Sequence, residues 1–133
     1  MKIEHIGIAV KSIENSNALF SKIFGRHPYK EETVESEAVK TSFFQVGDSK
    51  IELLEATEER SAIFKFIEKK GEGIHHIAFE VADIHSEISR MQEEGFTVLN
   101  PEPKKGADNK LIAFLHPRDT NGVLIELCQE IRD

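Results

Sequence analysis

The chain has one cysteine, no tryptophan, one tyrosine and four prolines among its 133 residues. A lone thiol, Cys128, rules out an internal disulfide and suits a reducing cytosol. No apolar run approaches the roughly 20 residues that span a bilayer, so no membrane partner is expected. Lys2, Glu4 and His5 interrupt the opening residues at once, so no secretory leader is expected either. Seventeen Lys and Arg against 24 Asp and Glu leave a net charge of −7, which nucleic-acid phosphates would repel. Gly71, Gly73 and Gly106 make no phosphate-binding fingerprint, so a nucleotide loop is not expected. A hydrophobic fraction of 39% is enough for one cored domain without staples, and the acidic balance still admits an anionic small molecule where basic residues or a metal are concentrated locally.

What is present is a repeat. IEHIGIAVKSI from Ile3 and IHHIAFEVADI from Ile74 align without a gap, matching at Ile3/Ile74, His5/His76, Ile6/Ile77, Val10/Val81 and Ile13/Ile84. Each copy closes on a similar strand, IELL from Ile51 and IELC from Ile125.

Residues 2–10 alternate as a half-buried strand, with Ile6, Ile8 and Val10 on one face and His5, Gly7 and Ala9 on the other. Ser12 caps a helix whose apolar stripe holds Ile13, Leu19, Phe20, Ile23 and Phe24 and which Gly25 ends. In the second copy Asp83 caps, Ile84, Ile88 and Met91 recur at helical spacing, and Gly95 terminates. Further strands are expected at 29–34, 39–46 and 50–54, then at 97–100, 111–115 and 123–128, so each copy reads βαβββ. A connecting helix over 61–70 starts at Ser61 and stops at Gly71, and the loop 101–109 is the most flexible-looking stretch. The expected architecture is α+β in a single domain over 1–133. Module 1 takes about 1–56, the connecting helix about 60–70 and module 2 about 73–130, side by side in a curved mixed sheet around a shared metal-centred cavity.

Alternation sets Glu52 against Ile51 and Leu53, and Glu126 against Ile125 and Leu127. His5, Glu52, His76 and Glu126 therefore leave the apolar layer by its other face. Any one of them taken singly is most often solvated surface. Recurrence at matching places in both copies is a poor outcome for independent surface drift. Two imidazoles and two carboxylates suit one divalent ion per chain, zinc, cobalt, nickel or manganese, among which the donor set does not choose. The other histidines carry less: His75 points away from its neighbour, His27 and His116 fall in turns, and His85 lies in a helix's first turn. Cys128 shares the face of Glu126 but has no base beside it in sequence, which favours a packed thiol over a nucleophile.

On these residues the chain resembles the vicinal oxygen chelate superfamily and, within it, the methylmalonyl-CoA epimerases. The segments that carry the likeness are EHIGIAV from Glu4, KIELLE from Lys50, GIHHIAFEV from Gly73 and FLHPRDTNGVLIEL from Phe114. The doubled histidine and the HP-x-D-x-x-GVLIEL ending are its most particular parts. The resemblance implies metal ligands at His5, His76 and Glu126 with Glu52 in a fourth position, a coenzyme A thioester substrate and a homodimer. The implied reaction takes the α-proton of methylmalonyl-CoA and returns it to the other face through a metal-stabilised enolate, interconverting R and S forms. Glu126 is the first choice for one acid/base. Some epimerases carry a second glutamate where this chain has Thr41, which leaves the other acid/base open between Glu52 and Glu37. Lys104, Lys105 and Lys110 are candidates for the coenzyme A phosphates. Two rivals share the ligand plan or the fold: a glyoxalase I acting on a hemithioacetal, and a binding or resistance protein without catalysis.

Overall fold

The computed structural model describes residues 1–132. Its elements run β1 (Lys2–Ala9), α1 (Ile13–Phe24), β2 (Lys30–Val34), β3 (Val39–Val46), β4 (Ser49–Ala56), α2 (Ala62–Lys70), β5 (Gly73–Glu80), α3 (Ile84–Glu93), β6 (Lys104–Lys105), β7 (Lys110–Leu115) and β8 (Ile125–Glu130). This is an α+β chain of two βαβββ modules joined by α2. No helix among the described residues is long and apolar enough to cross a membrane.

By compactness the chain divides into residues 5–75, the first unit, and residues 1–4 with 76 onward, the second. In the first unit the strands lie in the order β2-β3-β4-β1, and in the second β5-β8-β7-β6. The opening strand of each module pairs in parallel with its closing strand, Gly7 opposite Glu52 and Ala78 opposite Glu126. The neighbouring antiparallel strand then sets Phe43 opposite Glu52 and Phe114 opposite Glu126. The repeat in sequence is thus a repeat in register, which fixes the face every side chain takes.

Local chemistry explains where the helices begin. Ser12 Oγ accepts from the Asn15 N–H at 3.2 Å, and the Asp83 carboxylate accepts from the N–H groups of His85 and Ser86. A second acceptor recurs in both modules: Glu55 Oε1 takes the Ile13 N–H and Gln129 Oε1 the Ile84 N–H, each at 2.7 Å. Gly25 closes α1 in the left-handed conformation at φ 68°, where a Cβ would be strained.

Each module packs its helix on one sheet face. In the first unit Val10, Ile13, Phe44 and Leu53 form a core that Phe20 and Phe24 complete, their rings 6.4 and 5.4 Å from that of Phe44. Leu19 and Ile23, expected in the same stripe, are instead 55% and 62% exposed. Each stands one residue from a half-buried phenylalanine that packs on this core, a rotation of about 100° around the helix. In the second unit Val81, Ile84, Ile88, Val98, Ala113, Leu115 and Leu127 make the corresponding core.

Two expected strands are redrawn. The segment 97–100 contributes only a bridge from Val98 to Leu115. Asn100 takes over the ladder with its side chain, Nδ2 donating to the Ile112 carbonyl and Oδ1 accepting from the Phe114 N–H. The closing strand begins at Ile125 rather than 123, because the preceding residues are held in turns. There His116 Nδ1 accepts from the Arg118 N–H, Asp119 accepts from the Thr97 N–H, and the Thr120 hydroxyl donates to the Val123 carbonyl. The loop 101–109 is structured as well: it carries β6 and a tight turn at Ala107–Asn109. Gly106 presses on Ile112 so closely that a Cβ would come 2.7 Å from its Cδ1.

Candidate metal and active site

Each module builds one buried histidine and glutamate pair. In the first unit His5 Nε2 lies 3.2 Å from Glu52 Oε1, and in the second His76 Nε2 lies 3.3 Å from Glu126 Oε1. None of the four side chains is more than 8% exposed. The parallel register is the cause: each histidine sits two residues before the position opposite its glutamate, on the same sheet face. Burying carboxylates is costly unless they are neutralised. These pairs fit a cation as well as they fit each other. Two donors about 2.1 Å from one ion, at angles of roughly 90–109°, stand about 3.0–3.4 Å apart, and both separations fall in that interval. The mixed nitrogen and oxygen set belongs to a first-row transition ion or zinc.

The surroundings of the pairs include residues the sequence did not single out. Phe114, opposite Glu126, presents its ring edge-on to that of His76 with centroids 6.1 Å apart. Its module 1 counterpart Phe43 is buried, with the Tyr29 ring at 6.0 Å and the Lys30 ammonium 5.3 Å from its centroid. The signal for both lay in the register: each is the apolar residue directly across from the module's glutamate.

The remaining candidates are dispersed. Glu37 ends a short helical turn before β3 and is half-buried. Thr41, standing where some epimerases have an acid, is fully buried and its hydroxyl donates to the Glu32 carbonyl at 2.9 Å. Lys104 and Lys105 are exposed on β6, whereas Lys110 opens β7 and is 6% exposed, so the three lysines do not share one loop.

Several groups behave as packed or capping residues. Burial, helped by Lys70, holds the His75 imidazole down to about 4, and its ring stands edge-on to Phe66. It is neutral near pH 7. Burial pushes the Cys128 thiol well up, with Glu126 and Glu4 adding to the effect, and its Sγ lies 3.5 Å from the Phe79 carbonyl. That thiol is no nucleophile. His116 caps its own turn, and His27 and His85 are exposed. The backbone N–H of Thr97 holds Asp119 below the usual carboxylate range, and the HP-x-D segment therefore serves loop geometry.

Comparison with known proteins agrees with this picture. Residues 4–114 match the model of the glyoxalase/bleomycin resistance protein/dioxygenase superfamily. An uncharacterised protein of Bacillus subtilis is 40% identical over 128 residues, covering 96% of this chain and 91% of the relative. An ethylmalonyl-CoA/methylmalonyl-CoA epimerase of Cereibacter sphaeroides is 39% identical over 130 residues, covering 96% and 97%. Among solved structures, a Streptomyces coelicolor methylmalonyl-CoA epimerase variant with 2-nitronate-propionyl-CoA superposes with a TM-score of 0.91 at 35% identity, covering 98% of this chain and 94% of that one.

Proposed function

The chain belongs to the glyoxalase/bleomycin resistance protein/dioxygenase superfamily and is an isomerase of the epimerase group within it; from that premise we propose that it interconverts the R and S forms of methylmalonyl-CoA. The observation that carries the reading is the buried His and Glu pair repeated at one register position in each module. In this reading His5, Glu52, His76 and Glu126 together hold one divalent ion, cobalt first and manganese, nickel or zinc as alternatives. When bound, such an ion supplies Lewis-acid polarisation of the substrate's carbonyl oxygens, lowering the cost of losing the α-proton.

The protein's own work is proton traffic. A Glu126 carboxylate oxygen takes the α-proton, the C–H electron pair moves into the adjoining thioester carbonyl, and a protonated carboxyl group of the other module gives its proton to the opposite face of the α-carbon as that electron pair returns. We assign that second role to Glu52, which is buried beside His5, over Glu37, which sits half-buried in a turn. Phe114, Ala78 and Ile112 give the Glu126 side an apolar flank, in which charge interactions are less screened than in water. Lys104 and Lys105, exposed on β6, are assigned to the coenzyme A phosphates. A homodimer and a cytosolic location belong to the same reading, the second supported by the single buried thiol.

Incubation with methylmalonyl-CoA in deuterated buffer tests the reaction, with methylglyoxal hemithioacetal as the competing substrate. Deuterium at the α-carbon, abolished by chelator and restored by metal, is the expected result; hemithioacetal turnover without exchange would make the protein a glyoxalase instead. Metal analysis is expected to give one ion per chain. Two ions per chain, or none retained by a folded protein, would refute the joint site.

A further inference from the structure

The two modules place very different residues at one equivalent position. In the first unit Val39 of β3 stands opposite Ala56, and in the second Lys110 of β7 stands opposite Glu130, the same register relative to the module's glutamate. Val39 is sealed beneath α2, packed with Ala9, Leu54 and Ile63. No helix follows β8 among the described residues to seal its counterpart. Lys110 shares its strand face with Ile112 and Phe114, which pack with Ala78 and Cys128, while Leu111, Ala113 and Leu115 face α3. Its side chain therefore lies on the face that carries His76 and Glu126.

Lys110 is 6% exposed, and among the described residues no carboxylate pairs with its ammonium. Glu130, directly across the ladder, is exposed and makes no ion pair with it. Lys110 as a whole retains only its slight exposure. A nearly buried cation that no carboxylate of the described residues pairs is an unfavourable arrangement, which a negatively charged ligand group would relieve.

We propose that Lys110 is the substrate-anchoring residue of the second module, receiving an anionic group of the thioester remote from the reacting carbon. Four residues along β7 separate it from Phe114, about 13 Å at the rise of a strand, and a lysine reaches only part of that way toward the His76 and Glu126 pair. The group it meets is therefore not one held by those two residues. Contact at that remove strengthens ground state and transition state alike, so it sets affinity and leaves turnover alone. Lys110 differs in this from Lys104 and Lys105, which are solvent-exposed. The anion that satisfies this remove is a nucleotide phosphate, because the acyl carboxylate is bonded to the reacting carbon itself.

This inference rests on the thioester reading above, and calorimetric titration of the metal-loaded protein tests it separately. The probes are methylmalonyl-CoA, methylmalonyl-pantetheine, which lacks the nucleotide, and propionyl-CoA, which lacks the carboxylate. Lys110→Met is expected to raise Kd by about tenfold to a hundredfold, the usual size of a lost charge-assisted contact, with kcat for α-proton exchange within about threefold of the wild type. A loss limited to the two coenzyme A thioesters is the expected pattern, and one limited to the two methylmalonyl thioesters overturns the assignment. Unchanged affinity for all three probes in a variant of wild-type Tm overturns the assignment while the wild type still exchanges. A wild type that binds none of them overturns this inference together with the reading beneath it. Should Lys110→Met fail to fold, Lys110→Gln serves as the second variant; equal wild-type affinities for the three probes would also overturn the proposal.

Discussion

The two modules of this chain agree around their glutamates and part company at the far end of the same sheet face. Around Glu52 and Glu126 the correspondence extends to the histidine partner, the phenylalanine across the ladder and the side chain that accepts the helix's first N–H. Beyond that, module 1 is roofed by Ile63, Phe66 and Ile67 of α2 over Val39, whereas module 2 places Lys110 at the equivalent position. The duplicated unit keeps its symmetry around the two His and Glu pairs. It loses that symmetry at Val39 and Lys110, where among the described residues α2 packs on the first copy alone.

The largest effect is expected from breaking the agreement itself. Glu126→Gln and Glu52→Gln should each lower the rate of α-proton exchange by about 10²–10⁴, the usual value of a positioned acid/base, while Glu37→Gln leaves it within a few-fold. Loss from only one of the first two variants would restrict proton transfer to one module, and a large loss from Glu37→Gln would move the second role to the turn before β3.

Transplanting the difference comes next. Val39→Lys puts an ammonium beneath α2 with no carboxylate to meet it and should cost about 3–5 kcal/mol in denaturant unfolding, as an uncompensated buried charge does. Lys110→Val, the reverse exchange, should leave stability unchanged or slightly raised. Equal and small effects from both would mean that α2 does not exclude water from Val39.

Leucines at equivalent places offer a finer comparison. Leu53 and Leu127 are both buried, each beneath its own module's helix, and truncation to alanine should cost about 2–5 kcal/mol at either site. A gap between the two of more than about 1.5 kcal/mol would show one core collapsing into its cavity better than the other. The smallest effect concerns the paired caps. Gln129→Glu copies the arrangement at Glu55 and sets a negative charge at the start of α3, which should add about 0.3–1 kcal/mol at low salt and fade as salt is added. Destabilisation instead would mean that Gln129 donates an N–H that the carboxylate lacks.

Much of this was legible beforehand because it is local or periodic. Alternation along IEHIGIAV and IHHIAFEV fixes the faces of His5 and His76, and Ser12, Asp83, Ser61 and Gly25 mark helix ends by chemistry that acts over three or four residues. Other features were hidden because their partners are distant in the chain. The Glu55 and Gln129 acceptors lie 42 and 45 residues from the N–H groups they satisfy. Asn100 reads as a strand's last residue, yet it serves as a strand's stand-in because its amide presents a donor and an acceptor to β7. Leu19 and Ile23 resemble core residues in composition, but the sheet supplies a surface only as wide as the row Ile13, Phe20 and Phe24 covers.

The sequence by itself determined the duplication, the βαβββ order and the sheet face taken by His5, Glu52, His76 and Glu126, since a two-residue period and a matched register leave each side chain only one face to occupy. Tertiary structure alone decided which end of each module is covered. Burial of Val39 under α2 and of Lys110 in the second module depends on packing between segments that no local pattern relates, and there the two copies ceased to be alike.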